Sequence, residues 1–241
     1  MSINLLPIPA FSDNYIWLCW LPGSTAAWAI DPADAAPLQI ALENHKLTLA
    51  GILITHHHPD HVGGITALCA TAPVPVYGPA NSPASHLFTQ FVQHGDTLSA
   101  AGLDNWQVIG VPGHTLDHVA YYNAEENILF CGDTLFAAGC GRVFEGSPPQ
   151  MYASLQTLAS LPDTTRICCA HEYTLSNLRF AATVEPDNLD IQAAIHHDTQ
   201  LRQQGLPTLP TTLARERATN PFLRVQSAAE FATRRSQKDN F

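Results

Sequence analysis

The chain has 241 residues, a formal net charge of −10 and a pI near 5.5, which argues against binding of a nucleic-acid backbone as its main role. Its 14 glycines and 18 prolines are close to average usage, so collagen-like and low-complexity classes are excluded. Twelve histidines are the unusual feature of the composition, and they indicate metal or proton chemistry.

Cysteine usage and hydropathy indicate the compartment. The six cysteines form no CxxC pair, and no apolar segment approaches the ~20 residues of a membrane span. The N-terminal segment lacks the basic region and the small-residue cleavage site of a secretory signal. We therefore expect a cytoplasmic monomer that binds a small-molecule substrate, with neither a nucleic acid nor a membrane as partner.

Short apolar segments separated by Gly, Pro and Asp turns predict strands in the first two thirds of the chain. These strands are predicted at residues 15–20, 26–30, 49–55, 74–77, 106–111, 119–123, 127–131 and 166–170. Helices are predicted between them, at residues 36–44, 63–69 and 150–160. Strands that alternate with helices are typical of a layered α/β domain, which we assign to residues 1–170.

The composition becomes helical after residue 170. A helix predicted at residues 187–204 ends at Gly205, and a Pro/Thr-rich linker follows over residues 205–212. Ser227 and Glu230 have the spacing of a capping box, which predicts a last short helix. Residues 171–241 are therefore predicted to form a smaller helical domain.

The strongest chemical signal is the segment THHHPDH at residues 55–61, directly after a predicted strand. It supplies His56, His58, Asp60 and His61, and imidazole with carboxylate suits divalent first-row metals, zinc above all. In an extended or turning segment, the first two side chains can point one way while the last two reach another position. This separation indicates two ions, and the alternative is a solvated polar loop that binds metal loosely.

Three further segments place a possible ligand just past a predicted strand. These ligands are His114, Asp133 and His171. Ligands at strand ends converge on one edge of a sheet core, where rigid backbone fixes their geometry. Four segments that deliver ligands in the same way weigh against the solvated loop.

The segment at residues 55–61 resembles the THxHxDH signature of the metallo-β-lactamase superfamily. Further motifs resemble the glyoxalase II family: CGDTLF at 131–136, GCGR at 139–142, FEG at 144–146, HEYT at 171–174, NPFLR at 220–224 and RSQKDNF at 235–241. The similarity begins at PAFSDNY, residues 9–15, and reaches the last residue. It implies an αββα sandwich of two mixed sheets flanked by helices, followed by a small helical domain that binds glutathione.

The resemblance implies two divalent metal ions per chain, zinc first, with iron and manganese as alternatives. It assigns His56, His58 and His114 to metal 1, Asp60, His61 and His171 to metal 2, and Asp133 to both. Two divalent ions and two carboxylates leave a net charge of +2, which suits a bridging hydroxide at neutral pH. Asp60 and Asp133 are thus the expected catalytic residues, together with that hydroxide.

The implied reaction is hydrolysis of S-acylglutathione thioesters, such as S-D-lactoylglutathione to D-lactate and glutathione in methylglyoxal detoxification. A thiol has a pKa of ~8.5, so the departing thiolate needs no general acid. Resemblance assigns substrate binding to Arg142, Phe144, Tyr173, Arg235 and Lys238. Phe144 stands where some relatives place a tyrosine that contacts glutathione. For the basic residues of the last helix, the alternative is a solvated helix end.

Two other functions stay open. One is a mononuclear iron persulfide dioxygenase of the same superfamily, which would lack the complete C-terminal basic motif. The other is a metal-binding protein without turnover, which the substrate-binding motifs oppose. Pro59 and Asp117 depart from the family pattern beside the ligands, and His118 is either a support for a ligand or a packed side chain.

Overall fold

The computed structural model describes residues 2–100 and 102–241. The chain divides into two compact units. Unit 1 extends to Gly110 and resumes over Asp117–Gly132, whereas unit 2 comprises Val111–Leu116 and Asp133–Phe241. These units differ from the predicted domains, which meet between residues 170 and 171. That functional boundary stays a prediction.

The described part of unit 1 contains ten strands, three α-helices and a 3-10 turn at Ser85–Leu87. The strands are β1 Asn4–Ala10, β2 Asn14–Trp20, β3 Ala26–Ile30, β4 Thr48–Leu53, β5 Val76–Pro79, β6 Gln90–Val92, β7 Thr97–Ala100, β8 Leu103–Gly110, β9 Val119–Asn123 and β10 Ile128–Gly132. The helices are α1 Ala35–His45, α2 Pro59–Val62 and α3 Ile65–Thr71.

The first sheet is mixed and has the order β1-β2-β3-β4-β5-β6. Strands β1 to β3 pair antiparallel, and β3 to β6 pair parallel. The carboxyl ends of β3 and β4 therefore lie at the same edge of the sheet. Asp31 follows β3 there, and the THHHPDH loop follows β4.

One face of this sheet is covered by α1 and α3, whose Leu38 and Leu68 belong to one buried cluster with Ile52 of β4. The other face meets the second sheet of unit 1, in which β10, β9, β8 and β7 pair antiparallel in that order. Trp17 and Phe130 make this contact, with ring centroids 6.2 Å apart. Unit 1 is thus a helical layer on two packed sheets, and the ligand loop lies at a rigid strand end.

Helices dominate unit 2. Its described strands are short: β11 Leu135–Phe136, β12 Gly139–Cys140, β13 Arg166–Cys169 and β14 Thr211–Thr212. Its helices are α4 Pro148–Ala159, α5 Thr174–Val184, α6 Leu189–Gln203, α7 Leu213–Thr219 and α8 Ala228–Asp239. Tyr152 of α4 packs on Phe231 of α8, and Leu178 of α5 shares a buried cluster with Ile191 of α6.

The predicted architecture of two sheets, flanking helices and a helical C-terminal part is confirmed. Across residues 2–100 and 102–241, no helix has both the length and the apolar character that crossing a bilayer requires.

Candidate metal centre

The ligand loop of unit 1 holds its four side chains as two pairs. His56 Nε2 lies 3.0 Å from His58 Nδ1, and His61 Nε2 lies 3.7 Å from Asp60 Oδ2. Pro59 separates the pairs because it begins α2, after an extended His58 with φ −60° and ψ 146°. A proline suits the first position of a helix and favours an extended residue before it. This departure from the family pattern therefore fits the local backbone.

Asp31 is a supporting residue that the sequence analysis missed. Its carboxylate accepts hydrogen bonds from the Thr55 backbone N–H at 2.8 Å and the Thr55 hydroxyl at 2.7 Å. The same group lies 3.0 Å from His61 Nδ1, which directs the Nε2 of that ring toward Asp60. Asp31 has a left-handed φ of 51°. Its signal in the sequence is its position directly after a strand, which it shares with the predicted ligand Asp133.

Two histidines of unit 1 outside the predicted ligand set have distinct partners. His118 is buried and stacks on His56, with ring centroids 4.6 Å apart and an interplanar angle of 14°. His57 Nδ1 lies 3.0 Å from Asp117 Oδ1, and the Asp117 side chain is buried. Asp117, which departs from the family pattern, and His118 thus both pack directly against the ligand loop.

In unit 2, one carboxylate oxygen lies close to two imidazoles. Asp133 Oδ2 is 3.4 Å from His114 Nε2 and 3.3 Å from His171 Nε2, and all three residues are buried. His114 Nδ1 is 2.8 Å from the backbone carbonyl of Arg142. A carbonyl only accepts hydrogen bonds, so Nδ1 carries the proton and Nε2 has the lone pair that a metal requires.

The donor set and the spacing suit divalent metal ions. Two atoms bound at ~2.1 Å to one tetrahedral ion lie about 3.4 Å apart. The four pairs within the units have separations of 3.0, 3.3, 3.4 and 3.7 Å. These buried and half-buried histidines and aspartates therefore form clusters of the kind that binds metal.

Aromatic side chains contact the unit 2 ligands. Tyr173 stacks on His171, and Phe136 meets both rings edge-on at 5.3 and 5.8 Å. Phe144 is exposed and contacts His114 edge-on at 5.2 Å. Two of the predicted substrate-binding residues, Tyr173 and Phe144, are thus adjacent to predicted metal ligands.

Arg142 and Arg235 meet at Asp239, which the sequence analysis did not single out. Arg235 donates from Nε and Nη2 to Asp239 Oδ1 at 3.1 and 2.9 Å, and from Nη1 to the Cys140 carbonyl at 2.9 Å. Arg142 Nε lies 3.4 Å from the same Asp239 oxygen. Arg235 is only 7% exposed, so a solvated helix end does not describe it, whereas the Arg142 side chain is 60% exposed.

Lys238 is half-buried at the end of α8. Its ammonium donates to the Ser176 carbonyl at 3.2 Å and lies over the rings of Phe180 and Phe241, 5.3 and 5.2 Å from their centroids. Burial lowers the pKa of Lys238 to about 8, and the positive charges of Arg235 and Arg179 add to this decrease. Lys238 therefore titrates near physiological pH.

A buried polar brace holds the loop between β11 and β12. Glu216 accepts from the Ala138 backbone N–H at 2.7 Å, and the Asn220 amide donates to the carbonyls of Gly139 and Phe136 at 2.9 and 3.2 Å. Burial raises the pKa of Glu216. The NPFLR motif, which begins at Asn220, thus holds in place the loop that carries Phe136 to His171.

Comparisons with known proteins agree with both parts of the chain. Residues 30–171 match the model of the metallo-beta-lactamase superfamily, and residues 172–241 match the model described as hydroxyacylglutathione hydrolase C-terminus. The crystal structure of ETHE1 from Myxococcus xanthus superposes with a TM-score of 0.73 at 26% identity, covering 98% of this chain and 90% of that one. The predicted superfamily fold is confirmed.

Two curated relatives are named hydroxyacylglutathione hydrolase. The one from Albidiferax ferrireducens is 53% identical over 230 residues, which cover 94% of this chain and 88% of the relative. The one from Ectopseudomonas mendocina is 47% identical over 260 residues, with 99% and 100% coverage. The chain therefore belongs to the hydroxyacylglutathione hydrolase family, within the metallo-β-lactamase superfamily, as its motifs predict.

Proposed function

We propose that this protein hydrolyses S-acylglutathione thioesters, with S-D-lactoylglutathione as the type substrate, to glutathione and the free acid. The observation that carries the proposal is the Asp133 oxygen within 3.4 Å of two histidine nitrogens, in a chain that matches the family over both of its parts. A carboxylate between two imidazoles suits a ligand shared by two ions. This reaction would be the second step of methylglyoxal detoxification.

We infer a ligand set that follows the family motifs and the pairs described above. It assigns His56, His58 and His114 to one ion, Asp60, His61 and His171 to the other, and Asp133 to both. When bound, two divalent ions lower the pKa of water so that a nucleophile forms near neutral pH, and they polarise a carbonyl. Zinc is our first choice, with iron and manganese as alternatives, because availability selects among them as much as ligand type does.

The chain's own groups prepare the ligands. The Arg142 carbonyl keeps the proton of His114 on Nδ1, and Asp31 orients His61. Asp60 and Asp133 supply the two negative charges that partly offset the charge of the ions. No side chain has to protonate the departing sulfur, since a thiolate is a stable anion near neutral pH.

The glutathione moiety is assigned to residues of unit 2. The cations Arg142, Arg235 and Lys238 would bind the glycine carboxylate, and the Tyr173 hydroxyl would donate to the peptide. Phe144 offers an exposed ring and no hydroxyl, so its contribution is apolar contact. Charge supports this assignment, because the protein is acidic as a whole and needs a local basic group to attract an anionic tripeptide.

We further propose that residues 1–170 are the catalytic domain and that 171–241, which include His171, are the helical glutathione-binding domain. The chain would act as a monomer in the cytoplasm, without nucleic-acid or membrane partners. None of its six cysteines is in a disulfide, which suits a reducing compartment.

The test measures the decrease in thioester absorbance when purified protein is added to S-D-lactoylglutathione. The metal content of the same protein sample is determined in parallel. Rapid turnover with two metals per chain would support the proposal, and a thioester that lacks the tripeptide should be hydrolysed poorly. A fully metallated protein without turnover would overturn it, and persulfide oxygenation by the iron-loaded protein would then be measured.

A further inference from the structure

We propose that Asn14 is a positioning residue that holds the Asp60 carboxylate for metal binding. The inference rests on the proposed function only in that Asp60 is one of its assigned ligands. It gives a role to the PAFSDNY motif, which the ligand and substrate assignments leave unused.

The Asn14 amide clamps Asp60 at two points. Its Nδ2 donates to Asp60 Oδ2 at 3.0 Å and to the Asp60 backbone carbonyl at 3.3 Å. One amide that binds both the carboxylate and the backbone of a residue restricts rotation of the side chain between them. The contact is therefore suited to fixing the direction of the carboxylate.

The hydrogen-bonded oxygen is the one that faces the neighbouring ligand. Asp60 Oδ2 lies 3.7 Å from His61 Nε2, a separation close to that of two ligands of one ion. A carboxylate oxygen has two lone pairs, so an amide hydrogen on one leaves the direction of the other defined. Asn14 thus aims the metal-binding lone pair of Asp60 toward the position that His61 also faces.

Asp60 needs such a restraint more than its neighbour does. The Asp60 side chain is 39% exposed, whereas the His61 side chain is fully buried and held by Asp31. Packing restrains a side chain little at this exposure, and a hydrogen bond has to supply the orientation.

Asn14 is itself rigidly placed. It is the first residue of β2, pairs with Ala10 across the β1–β2 hairpin, and is 6% exposed. Strands hold a functional side chain more precisely than loops do. The hairpin therefore transmits its rigidity to a ligand 46 positions later in the chain.

The experiment measures Zn²⁺ binding by the full-length protein in competition with a chromophoric chelator, and thermal unfolding with and without zinc. The variants are N14A and the similarly sized, apolar N14L. Matched controls are N123A and N123L, because Asn123 is another buried asparagine of unit 1. Its side chain donates to the Asp104 backbone carbonyl and accepts from the Glu126 backbone N–H, both at 2.9 Å, and neither residue is a proposed metal ligand.

We expect both Asn14 variants to bind one of two zinc ions 10–100-fold more weakly, the usual effect of losing a partner of a metal ligand. The Asn123 variants should lower the unfolding temperature of the zinc-free protein but keep both zinc affinities within about twofold of wild type. Zinc should therefore raise the unfolding temperature of the Asn14 variants less than that of the Asn123 variants.

Unchanged zinc affinities in N14A and N14L would overturn the proposal, as would an equal loss in the Asn123 variants. Because the experiment measures metal affinity, failure of the thioesterase assignment can be distinguished from failure of the Asn14 proposal. A wild-type protein that binds two zinc ions without hydrolysing the thioester would refute that assignment and leave the Asn14 comparison decisive. A wild type that binds no zinc would overturn both.

Discussion

The phenol ring of Tyr173 lies parallel to the imidazole of His171, with an interplanar angle of 4° and centroids 4.7 Å apart. Stacking restricts rotation of the imidazole, while the 36% exposure of Tyr173 leaves it accessible to a substrate. One side chain thus combines an orienting face with a polar tip, and substitutions can separate the two.

Replacing Tyr173 by phenylalanine should raise the KM for S-D-lactoylglutathione about 2–10-fold, the value of one lost neutral hydrogen bond, while metal content stays unchanged. Y173A should also weaken metal retention, since His171 loses its stacked neighbour. Steady-state kinetics and metal analysis of both variants provide the check. A normal KM in Y173F would contradict the hydroxyl contact.

Asp133 should be indispensable to the metal centre. D133N keeps the shape but replaces one oxygen with an amide that donates, so we expect loss of bound metal and a fall in kcat of at least about 100-fold. The control is D163N, since the Asp163 side chain is 67% exposed and pairs with Arg217 on the surface. Retention of both metals by D133N would refute the bridging role.

The two arginines at Asp239 should respond differently to removal. R142A should raise the KM for the glutathione thioester and leave stability within about 0.5 kcal/mol, because this side chain is largely exposed. R235A should raise KM and also lower the free energy of unfolding by about 1–3 kcal/mol, because the Cys140 carbonyl and Asp239 lose their donor. Urea denaturation measures the stability of each variant, and steady-state kinetics measure its KM. Equal stability of R142A and R235A would contradict the structural role of Arg235.

The lowered pKa of Lys238 predicts that substrate binding weakens at alkaline pH. Its pKa of about 8 means that the ammonium which would bind a carboxylate is lost as pH rises through that value, so kcat/KM for the glutathione thioester should fall there. Folding has the opposite dependence: the unfolded chain, with its pKa near 10.5, binds the proton more tightly, so stability rises with pH between about 8 and 10.5. K238R keeps its charge across this range and should lose the kinetic limb. A limb that persists in K238R would have another origin.

Replacing the Glu216 carboxylate by an amide should destabilise the fold. E216Q places an NH₂ group either against the donors of Ala138 and Asn220 or against the Thr211 hydroxyl, and it replaces a charged acceptor of all three hydrogen bonds with a neutral one. We expect a loss of about 1–3 kcal/mol in the free energy of unfolding, measured by urea denaturation. E43Q is the control, because Glu43 is exposed on α1. Similar stability of both variants would contradict the brace.

The fold is predictable where apolar runs are uninterrupted. The predicted strands at residues 26–30 and 119–123 have the bounds of β3 and β9, and helices α1, α4 and α6 begin and end within about two residues of their predicted bounds. Helix α8 begins directly after its predicted capping residue, Ser227. By contrast, β1 contains Pro7 and Pro9 and has no strand pattern in the sequence. It forms because an edge strand paired only with β2 tolerates prolines.

Other elements depend on tertiary contacts. Helix α5 begins at Thr174 after Tyr173, whose side chain makes no capping hydrogen bond, so no start signal marks it. Strand β14 consists of Thr211 and Thr212 alone, within the segment predicted as a linker, and pairs with Arg166 and Ile167 of β13. Pairing with a distant strand cannot be inferred from so short a segment.

Within the candidate site, the proposed ligands are predictable from the sequence, whereas the roles of the residues that support them are not. The seven proposed ligands each follow a strand within a recognisable motif. Asn14 donates to Asp60, which is 46 positions away, and Asp239 accepts from Arg235, which is four positions away. The local sequence does not show which side chain each of them supports. Asp31 and His61 are 30 positions apart, and the parallel pairing of β3 and β4 brings them together.

Arg142 contacts a proposed metal ligand through its main chain and an acidic residue through its side chain. Its backbone carbonyl sets the tautomer of His114, while its guanidinium lies beside Asp239. A glutathione carboxylate bound by this guanidinium would therefore contact the same residue that holds His114, a proposed metal ligand. Such thermodynamic linkage is reciprocal: by whatever factor glutathione changes the affinity of the protein for metal, metal changes its affinity for glutathione.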